Sequence, residues 1–222
     1  MLWWRAPASG GHGVFLDMAD KIRRKRGRPP AYDREVALTR AMDLFWDRGY
    51  AATSLDDLSR AMDMNRPSIY AAFGDKQALY GQALDHYRAR VRAAIKDVLG
   101  EERPLRPALR EFYERAIDMY LSGKIAARGC FIIGTALTEA VANPELRTSL
   151  METLQGLDRV LAARIALGQR RGEVDAAANP EELGKVASAM LYLLAIQARA
   201  GATRRSLRAT MNAALNSICS RV

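Results

Sequence analysis

Three residues in the N-terminal third of the chain, Arg66, Ser68 and Tyr70, have the side-chain types that contact DNA. An arginine can pair with a guanine edge or a phosphate, and a serine hydroxyl can bond a base or a phosphate. N–H groups at the start of a helix can also bond phosphate oxygens. A short helix over 66–73, whose first half is polar and cationic, is therefore predicted to be able to enter a major groove.

The segment 54–73 has the size and punctuation of a helix-turn-helix, which would position these side chains. Ser54, followed three residues later by Asp57, predicts a capped start for a helix over 55–62. Asn65 predicts a second capped start, with Pro67 in the first turn, where its missing N–H costs nothing. The same geometry occurs as a helical corner in all-α enzymes, so the spacing alone leaves both interpretations open.

Nearly all of the chain after residue 32 has apolar residues at three- and four-residue spacing, which predicts an all-α protein of about nine helices. We expect a flexible tail and basic arm over 1–31, a three-helix DNA-binding domain over 32–80, and a larger helical ligand-sensing and dimerisation domain over 81–222. Glycine, proline and capping residues delimit the predicted helices 33–48, 55–62, 66–73, 76–99, 108–122, 129–141, 144–169, 180–200 and 204–220.

The composition indicates a globular protein with anionic partners. The 222 residues are 49% hydrophobic and carry a formal net charge of +9, which favours nucleic acid or an acidic lipid surface. No apolar run is long enough for a transmembrane helix, no signal peptide is recognised, and two cysteines cannot form a disulfide framework. We therefore expect a cytoplasmic protein that associates with the nucleoid through DNA and not with membranes. Met18 is an alternative translational start, which would make residues 1–17 dispensable.

The strongest concentration of charge is a basic arm over 18–32, where six basic residues face one acidic residue. It ends in Arg26-Gly27-Arg28-Pro29-Pro30, which resembles the core of AT-hook peptides. In such a peptide Arg26 and Arg28 would enter the narrow, negative minor groove of A·T-rich DNA. The alternative is a solvated tail that attracts phosphates without sequence preference.

Three motifs together resemble the tetracycline-repressor (TetR) family of bacterial transcriptional regulators. They are Gly49-Tyr50-Ala51-Ala52-Thr53-Ser54, Ile69-Tyr70-Ala71-Ala72-Phe73 and Asp75-Lys76-Gln77-Ala78-Leu79. The resemblance covers residues 32–84 closely. The chain departs from it at Asp63, where the family usually has glycine in the turn. We expect Asp63 to be left-handed, a conformation that aspartate tolerates better than most residues.

The resemblance implies a homodimer whose two recognition helices enter successive major grooves of a palindromic operator. By position, Thr53, Ser54, Tyr70 and Lys76 would contact phosphates, and Arg66, Pro67, Ser68 and Ala71 would face the groove. It also implies a repressor that an unidentified small molecule releases from duplex DNA.

The C-terminal part is predicted to hold both a dimer interface and a ligand cavity. Apolar stripes on the last two helices resemble the four-helix dimer bundle of the family, although intrachain core is the alternative. Bulky, adaptable apolar side chains on the middle helices suit a ligand cavity, although each could equally be ordinary core. The predicted interface residues are Met190, Leu194, Leu207, Met211, Leu215 and Ile218, and the predicted cavity residues are Phe112, Met119, Tyr120, Phe131, Leu137, Met151 and Leu154.

No motif in the sequence favours catalysis, and no metal or cofactor is expected. His12 and His86 stand apart, and no carboxylate pair, nucleophile motif or phosphate loop has the needed spacing. Cys130 beside Arg128 could have a lowered pKa and sense redox state, but a lone cysteine is more often a small buried hydrophobe. The competing functions are an all-α enzyme, a protein-interaction module, or a nucleoid-type protein that binds DNA without sequence preference.

Removing the basic arm is predicted to weaken DNA binding and to flatten its salt dependence. Each phosphate contact adds about 0.9 to the salt slope, so deletion of residues 1–30 lowers the slope, whereas deletion of residues 1–17 does not. If Arg26 and Arg28 read the minor groove, the loss is larger on sites flanked by A·T tracts. Binding titrations at several salt concentrations measure both effects, and unchanged affinity after the longer deletion would exclude a role for the arm.

Overall fold

The computed structural model describes residues 32–100, 102–123 and 126–219, so Arg26 and Arg28 lie outside the described residues. Over this part of the chain the protein is all-α, which confirms the predicted fold class and the number of helices. A π-helical turn, Ile132–Ala136, runs directly into the sixth helix. The helices are α1 (Arg34–Arg48), α2 (Leu55–Met62), α3 (Arg66–Phe73), α4 (Lys76–Val98), α5 (Leu105–Tyr120), α6 (Leu137–Glu139), α7 (Pro144–Arg170), α8 (Pro180–Arg199) and α9 (Arg204–Ile218).

Polar caps define where most of these helices begin. The Ser54 hydroxyl accepts a hydrogen bond from the backbone N–H of Asp57, and the Asp57 carboxylate accepts one from the backbone N–H of Ser54. This reciprocal capping box satisfies two N–H groups that a helix start otherwise leaves free. The Asn143 and Asn179 side chains cap α7 and α8 by accepting from one backbone N–H each, and each is followed by a proline in the first turn.

Helices α1, α2 and α3 pack around a small apolar core formed by Phe45, Leu58, Ile69 and other fully buried side chains. The turn between α2 and α3 is made at Asp63, whose φ of 55° lies in the left-handed region. This confirms the conformation expected from the absence of the family's glycine. The backbone N–H of Met64 then bonds the carbonyl of Ser59 and closes the end of α2.

Helix α4 joins this three-helix unit to the rest of the protein. Near its first turns, Gln82 donates from Nε2 to the carbonyl of Phe73 at 2.9 Å and accepts from Arg34 at 2.5 Å. The last residue of α3 is thereby fixed to both α1 and α4. At about 1.5 Å rise per residue, α4 is about 35 Å long.

The C-terminal helices form two layers that share a core. Helix α7 packs closely along α8 at Gly184, where a Cβ atom would lie 2.8 Å from the Cβ of Ala162. Helix α5 crosses α8 and α9, and its Tyr113 hydroxyl donates to the carbonyl of Ala187 at 2.9 Å. No helix in the described ranges is long and apolar enough to span a membrane.

Two predicted helices differ from the structure for local reasons. Helix α5 begins at Leu105 rather than at residue 108, because Pro107 lies in its first turn and does not interrupt it. The helix predicted over 129–141 is instead the π turn followed by the short α6. The domain boundary predicted at residue 80 falls inside α4. The described residues from 32 onward form one compact unit, so this boundary stays a prediction about function.

Candidate functional site

The predicted recognition helix α3 presents a polar face on the surface of the protein. Arg66, Pro67, Tyr70 and Ala71 are exposed and Ser68 is half-buried, whereas Ile69 and Phe73 point into the core. The backbone N–H of Ser68 is held by the Asn65 side chain at 2.8 Å. The four side chains assigned to the groove, and that of Tyr70 assigned to a phosphate, are therefore all at least partly accessible on the surface of α3.

An ion pair that the sequence analysis missed holds the arginine of this face. Arg66 donates from Nε and from a terminal nitrogen to Oδ1 of Asp56, at 2.9 and 2.6 Å. The carboxylate raises the pKa of Arg66, and both side chains are more than half exposed. Because water screens an exposed pair, Arg66 can exchange Asp56 for a base or a phosphate at little cost. The pair joins residues ten positions apart on different helices, and no spacing rule indicates it.

The two residues predicted to grip phosphate at the start of α2 have different environments. Ser54 is exposed and caps α2, and its hydrogen bonds hold the pKa of Asp57 well below the usual range. Thr53 is buried, and its hydroxyl donates to the carbonyl of Gly49 at 2.7 Å. The Thr53 hydroxyl therefore fixes the loop that precedes α2, and a phosphate contact at Thr53 stays a prediction.

The predicted phosphate-contacting lysine lies at the start of α4. The Lys76 ammonium stands 4.2 Å from the centre of the Tyr50 ring, which is a cation–π contact. Partial burial lowers the pKa of Lys76. The ring restricts the orientation of the ammonium and holds the side chain beside the start of α4.

A large cavity lies among α4, α5, α7 and α8. Its volume is about 780 Å³, within the range of small-molecule sites, and most of its lining is apolar. Four of the seven residues predicted for a ligand site line it, namely Phe112, Met119, Tyr120 and Leu154.

The other three predicted ligand residues do not line this cavity, so a ligand contact by them stays a prediction. Leu137 and Met151 are more than half exposed on the surface of α6 and α7. Phe131 is fully buried, but it packs among aromatic rings rather than along the cavity. The apolar pattern of the sequence marks these residues as packing residues without indicating which space they face.

The ring of Phe131 belongs to a junction that connects α1 with the C-terminal helices. The rings of Trp46, Tyr87 and Phe131 lie 5.1 to 5.9 Å apart, and the Trp46 indole donates to the carbonyl of Gly129 at 3.1 Å. Arg128 covers the Trp46 ring at 4.8 Å. We call Trp46, Tyr87, Arg128, Gly129 and Phe131 the aromatic junction.

Arg128 also binds α1 through its charge. Its side chain is only 13% exposed and donates to Asp47 at 2.7 Å and to Asp43 at 3.0 Å. Arg199, the last residue of α8, donates to the carbonyl of Arg128 at 2.8 Å. Because Asp43, Trp46 and Arg128 line the cavity as well, the cavity wall and the base of the DNA-binding unit share side chains. Sequence reasoning considered Arg128 only as a neighbour of Cys130.

Five of the six predicted dimer-interface residues are buried within the single chain, so they do not offer a surface to a partner. Leu194, Leu207, Met211, Leu215 and Ile218 are at most 1% exposed, and Met190 is half-buried. These five therefore belong to the core of the single chain, and the dimer interface on the last two helices stays a prediction. The apolar side chains that α8 does expose are Val186, Leu193 and Ile196.

The other two side chains that the sequence analysis considered for chemistry, Cys130 and His86, contact neighbouring side chains. Cys130 is buried beside the Tyr87 hydroxyl, and burial raises the pKa of its thiol, opposite to the lowering that Arg128 could have caused. His86 lies 3.2 Å from the Thr39 hydroxyl. Among the described residues no group of three or more histidine, cysteine and acidic side chains is placed to hold a metal ion.

Comparison with known proteins identifies the family. Residues 37–83 match the family described as "Bacterial regulatory proteins, tetR family", and residues 106–219 match "Tetracyclin repressor-like, C-terminal domain". The chain is 31% identical to the transcriptional repressor ComR of Escherichia coli K12 over 195 residues, which are 87% of this chain and 92% of ComR. The chain belongs to the TetR family.

Solved structures of TetR regulators share its fold. A cysteine variant of CifR, solved with a 26 bp operator DNA, is 34% identical, with a TM-score of 0.74 over 86% of this chain and 99% of that chain. A TetR regulator from Chloroflexus aurantiacus J-10-FL is 23% identical, with a TM-score of 0.74 over 85% and 95%. As a TetR protein, the chain is a helix-turn-helix regulator of transcription and not an enzyme.

The exposed Arg66–Asp56 pair, which joins the recognition helix to α2, predicts how substitutions affect DNA binding. Replacing Arg66 by alanine is expected to weaken binding to the operator roughly 10- to 100-fold if Arg66 reads a base, with a smaller effect on random DNA. Asp56→Asn frees the guanidinium of Arg66 and removes a negative charge near the DNA backbone, so binding to random DNA is expected to strengthen. Fluorescence anisotropy with both duplexes measures the two ratios.

Arg103→Ala is the matched control. Arg103 precedes α5, is also exposed, and is paired with Glu111 of α5. Equal losses for Arg66→Ala on operator and random DNA would show that Arg66 contacts only phosphate.

Proposed function

We propose that this protein is a dimeric repressor that binds a palindromic operator and releases it when a small, largely apolar molecule enters the cavity. The observation that carries the proposal is the position of α4. Its first turns hold the end of α3 through Gln82, and its later turns line the cavity with Tyr87, Val91 and Ile95. One rigid helix thus connects the recognition surface to the ligand space.

The DNA-binding half of the proposal is supported by the face of α3 and by the relatives. Arg66, Ser68 and Tyr70 are accessible together, and the helix start supplies N–H groups that suit phosphate oxygens. ComR carries the name of a repressor, and CifR was solved with double-strand operator DNA. We infer the same mode for this chain, acting on chromosomal DNA in the bacterial cytoplasm.

A dimer is proposed because one recognition helix reads only one half-site. Successive major grooves lie about 34–36 Å apart, and two-fold symmetry of the protein is matched by a palindrome. Val186, Met190, Leu193 and Ile196 fall on one face of α8 at helical spacing, and three of them are exposed in the single chain. Covering this face with the same face of a second chain removes apolar surface from water.

An effector can release the operator only if it binds the protein more tightly in one orientation of α4 than in the other. A ligand can shift the equilibrium only by its difference in affinity for the two states, and coupling of about 1–3 kcal/mol is usual. Operator DNA must then weaken ligand binding by the same factor. The cavity volume of about 780 Å³ accommodates a molecule of drug or metabolite size.

Selection of duplexes from a random library tests the proposal. The full chain is expected to select an inverted repeat with half-sites about one helical turn apart. Leu193→Glu places a charge on the proposed interface, so this variant is expected to sediment as a monomer and to bind the selected repeat far more weakly. Val141→Glu is the matched control, because Val141 is also an exposed apolar residue but lies between α6 and α7.

Two results would contradict the proposal. Selection of no common sequence, together with steep salt dependence, would indicate a protein that coats DNA without sequence preference. A Leu193→Glu variant that remains dimeric would place the interface on another face.

A further inference from the structure

Most of the surface that lines the cavity is apolar, but most of the charged residues in the lining are arginines. Among the residues that line it, six are arginines and two are acidic. Arginine is therefore the commonest charged group that a ligand in this cavity can meet. The arginines are Arg88, Arg90, Arg92, Arg115, Arg128 and Arg159, and the acidic residues are Asp43 and Glu152.

Two of these arginines are each engaged by two carboxylates. Arg128 binds Asp43 and Asp47 in the aromatic junction. Arg115 binds Asp97 and Glu111. Neither needs a ligand to balance its charge.

Arg88 differs from both of them. One terminal nitrogen donates to Asp85 at 2.8 Å, but Nε and the other terminal nitrogen are buried and have no hydrogen-bond partner among the described residues. The side chain is 14% exposed, whereas its partner Asp85 is 73% exposed. A buried N–H group without an acceptor is costly, and more so when it carries charge. Two adjacent N–H groups of a guanidinium match the two oxygens of one carboxylate.

We infer that the effector is an amphipathic carboxylic acid whose carboxylate binds the free N–H groups of Arg88 once the guanidinium turns towards the cavity. This inference rests on the proposed function, since it names the chemical class of the ligand in the same cavity. The apolar body of the acid lies against Phe112, Met119, Leu154 and Leu157, which line the same space. Arg90, Arg92 and Arg159 add attraction for an anion.

The position of Arg88 connects this recognition to the regulatory helix. Arg88 lies on α4, six residues beyond Gln82, which holds the carbonyl of Phe73 at the end of α3. A carboxylate bound to Arg88 therefore acts on the helix whose tilt positions the recognition surface. An uncharged apolar molecule can fill the cavity, but it leaves these N–H groups without an acceptor.

Matched pairs of acids and amides test the inference. The probes are decanoate and 4-phenylbutyrate, each compared with its primary amide, which has the same skeleton without the charge. Calorimetry measures their binding to the full chain, to Arg88→Gln and to Arg147→Gln. Arg147 is the matched control because it is exposed on α7 and does not line the cavity. Competition with the selected inverted repeat measures release of DNA.

At least one acid is expected to bind the wild-type chain and to release the duplex. Its affinity is expected to fall roughly 10- to 100-fold in Arg88→Gln, as for loss of hydrogen bonds to a charged group, and to change little in Arg147→Gln. Arg88→Lys, which keeps the charge but not the paired donors, is expected to recover part of the affinity. Duplex binding without ligand and the helical circular dichroism signal check that each variant is folded.

The failure of this inference is distinguishable from failure of the proposed function. If an amide binds as tightly as its acid and releases the duplex from wild type and Arg88→Gln alike, the carboxylate class is wrong and the effector mechanism stands. If no acid binds at millimolar concentration, the carboxylate class is also wrong. If an acid binds through Arg88 but leaves duplex affinity unchanged, the proposed release mechanism is wrong.

Discussion

Trp46, two residues before the end of α1, is held from several directions at once. Its indole donates to the Gly129 carbonyl, its ring packs edge-on against Tyr87 of α4, and Arg128 covers the ring while bonding two carboxylates of α1. The orientation of the DNA-binding unit relative to the C-terminal helices depends on this junction. Aromatic edge contacts have restrictive geometry, and the largely buried Arg128 is held by two half-exposed carboxylates, so the junction restrains the position of α1 against the C-terminal helices.

In the proposed mechanism, the cavity contacts two elements through which a ligand would move the recognition helix. One is α4, which carries Gln82 at one end and Val91 and Ile95 in the cavity wall. The other is the aromatic junction, of which Trp46, Tyr87 and Arg128 also line the cavity. A ligand that changes the packing of this wall therefore has a direct mechanical path to α1 and α3, without passing through the core between α5, α8 and α9.

Much of the fold and the recognition surface could be predicted because local signals determine them. Ser54 with Asp57, Asn65 before Pro67, and Asn143 before Pro144 are short-range caps, and they gave the helix starts found in the structure. The left-handed turn at Asp63 was expected from the family resemblance, because this residue stands where the family usually has glycine. These features require only residues within a few positions of one another.

The features that were missed depend on which surfaces meet in three dimensions. The stripe of Leu207, Met211 and Leu215 indicated a buried face of α9, but the sequence did not show that the chain's own helices bury it. Phe131 and Met151 are both apolar, yet one fills the aromatic junction and the other faces outward. The pairs Arg66–Asp56 and Arg128–Asp47 join separate helices, so sequence spacing could not reveal them.

The central claim is that the aromatic junction holds the DNA-binding unit in the orientation that reads the operator. Affinity of Arg128→Gln for the selected inverted repeat tests it most directly, with Arg115→Gln as control, because Arg115 also lines the cavity and binds two carboxylates but none on α1. We expect Arg128→Gln to remain folded and dimeric yet to bind the repeat more weakly by about 0.5–2 kcal/mol, while Arg115→Gln binds like wild type. Wild-type affinity in Arg128→Gln would contradict the account.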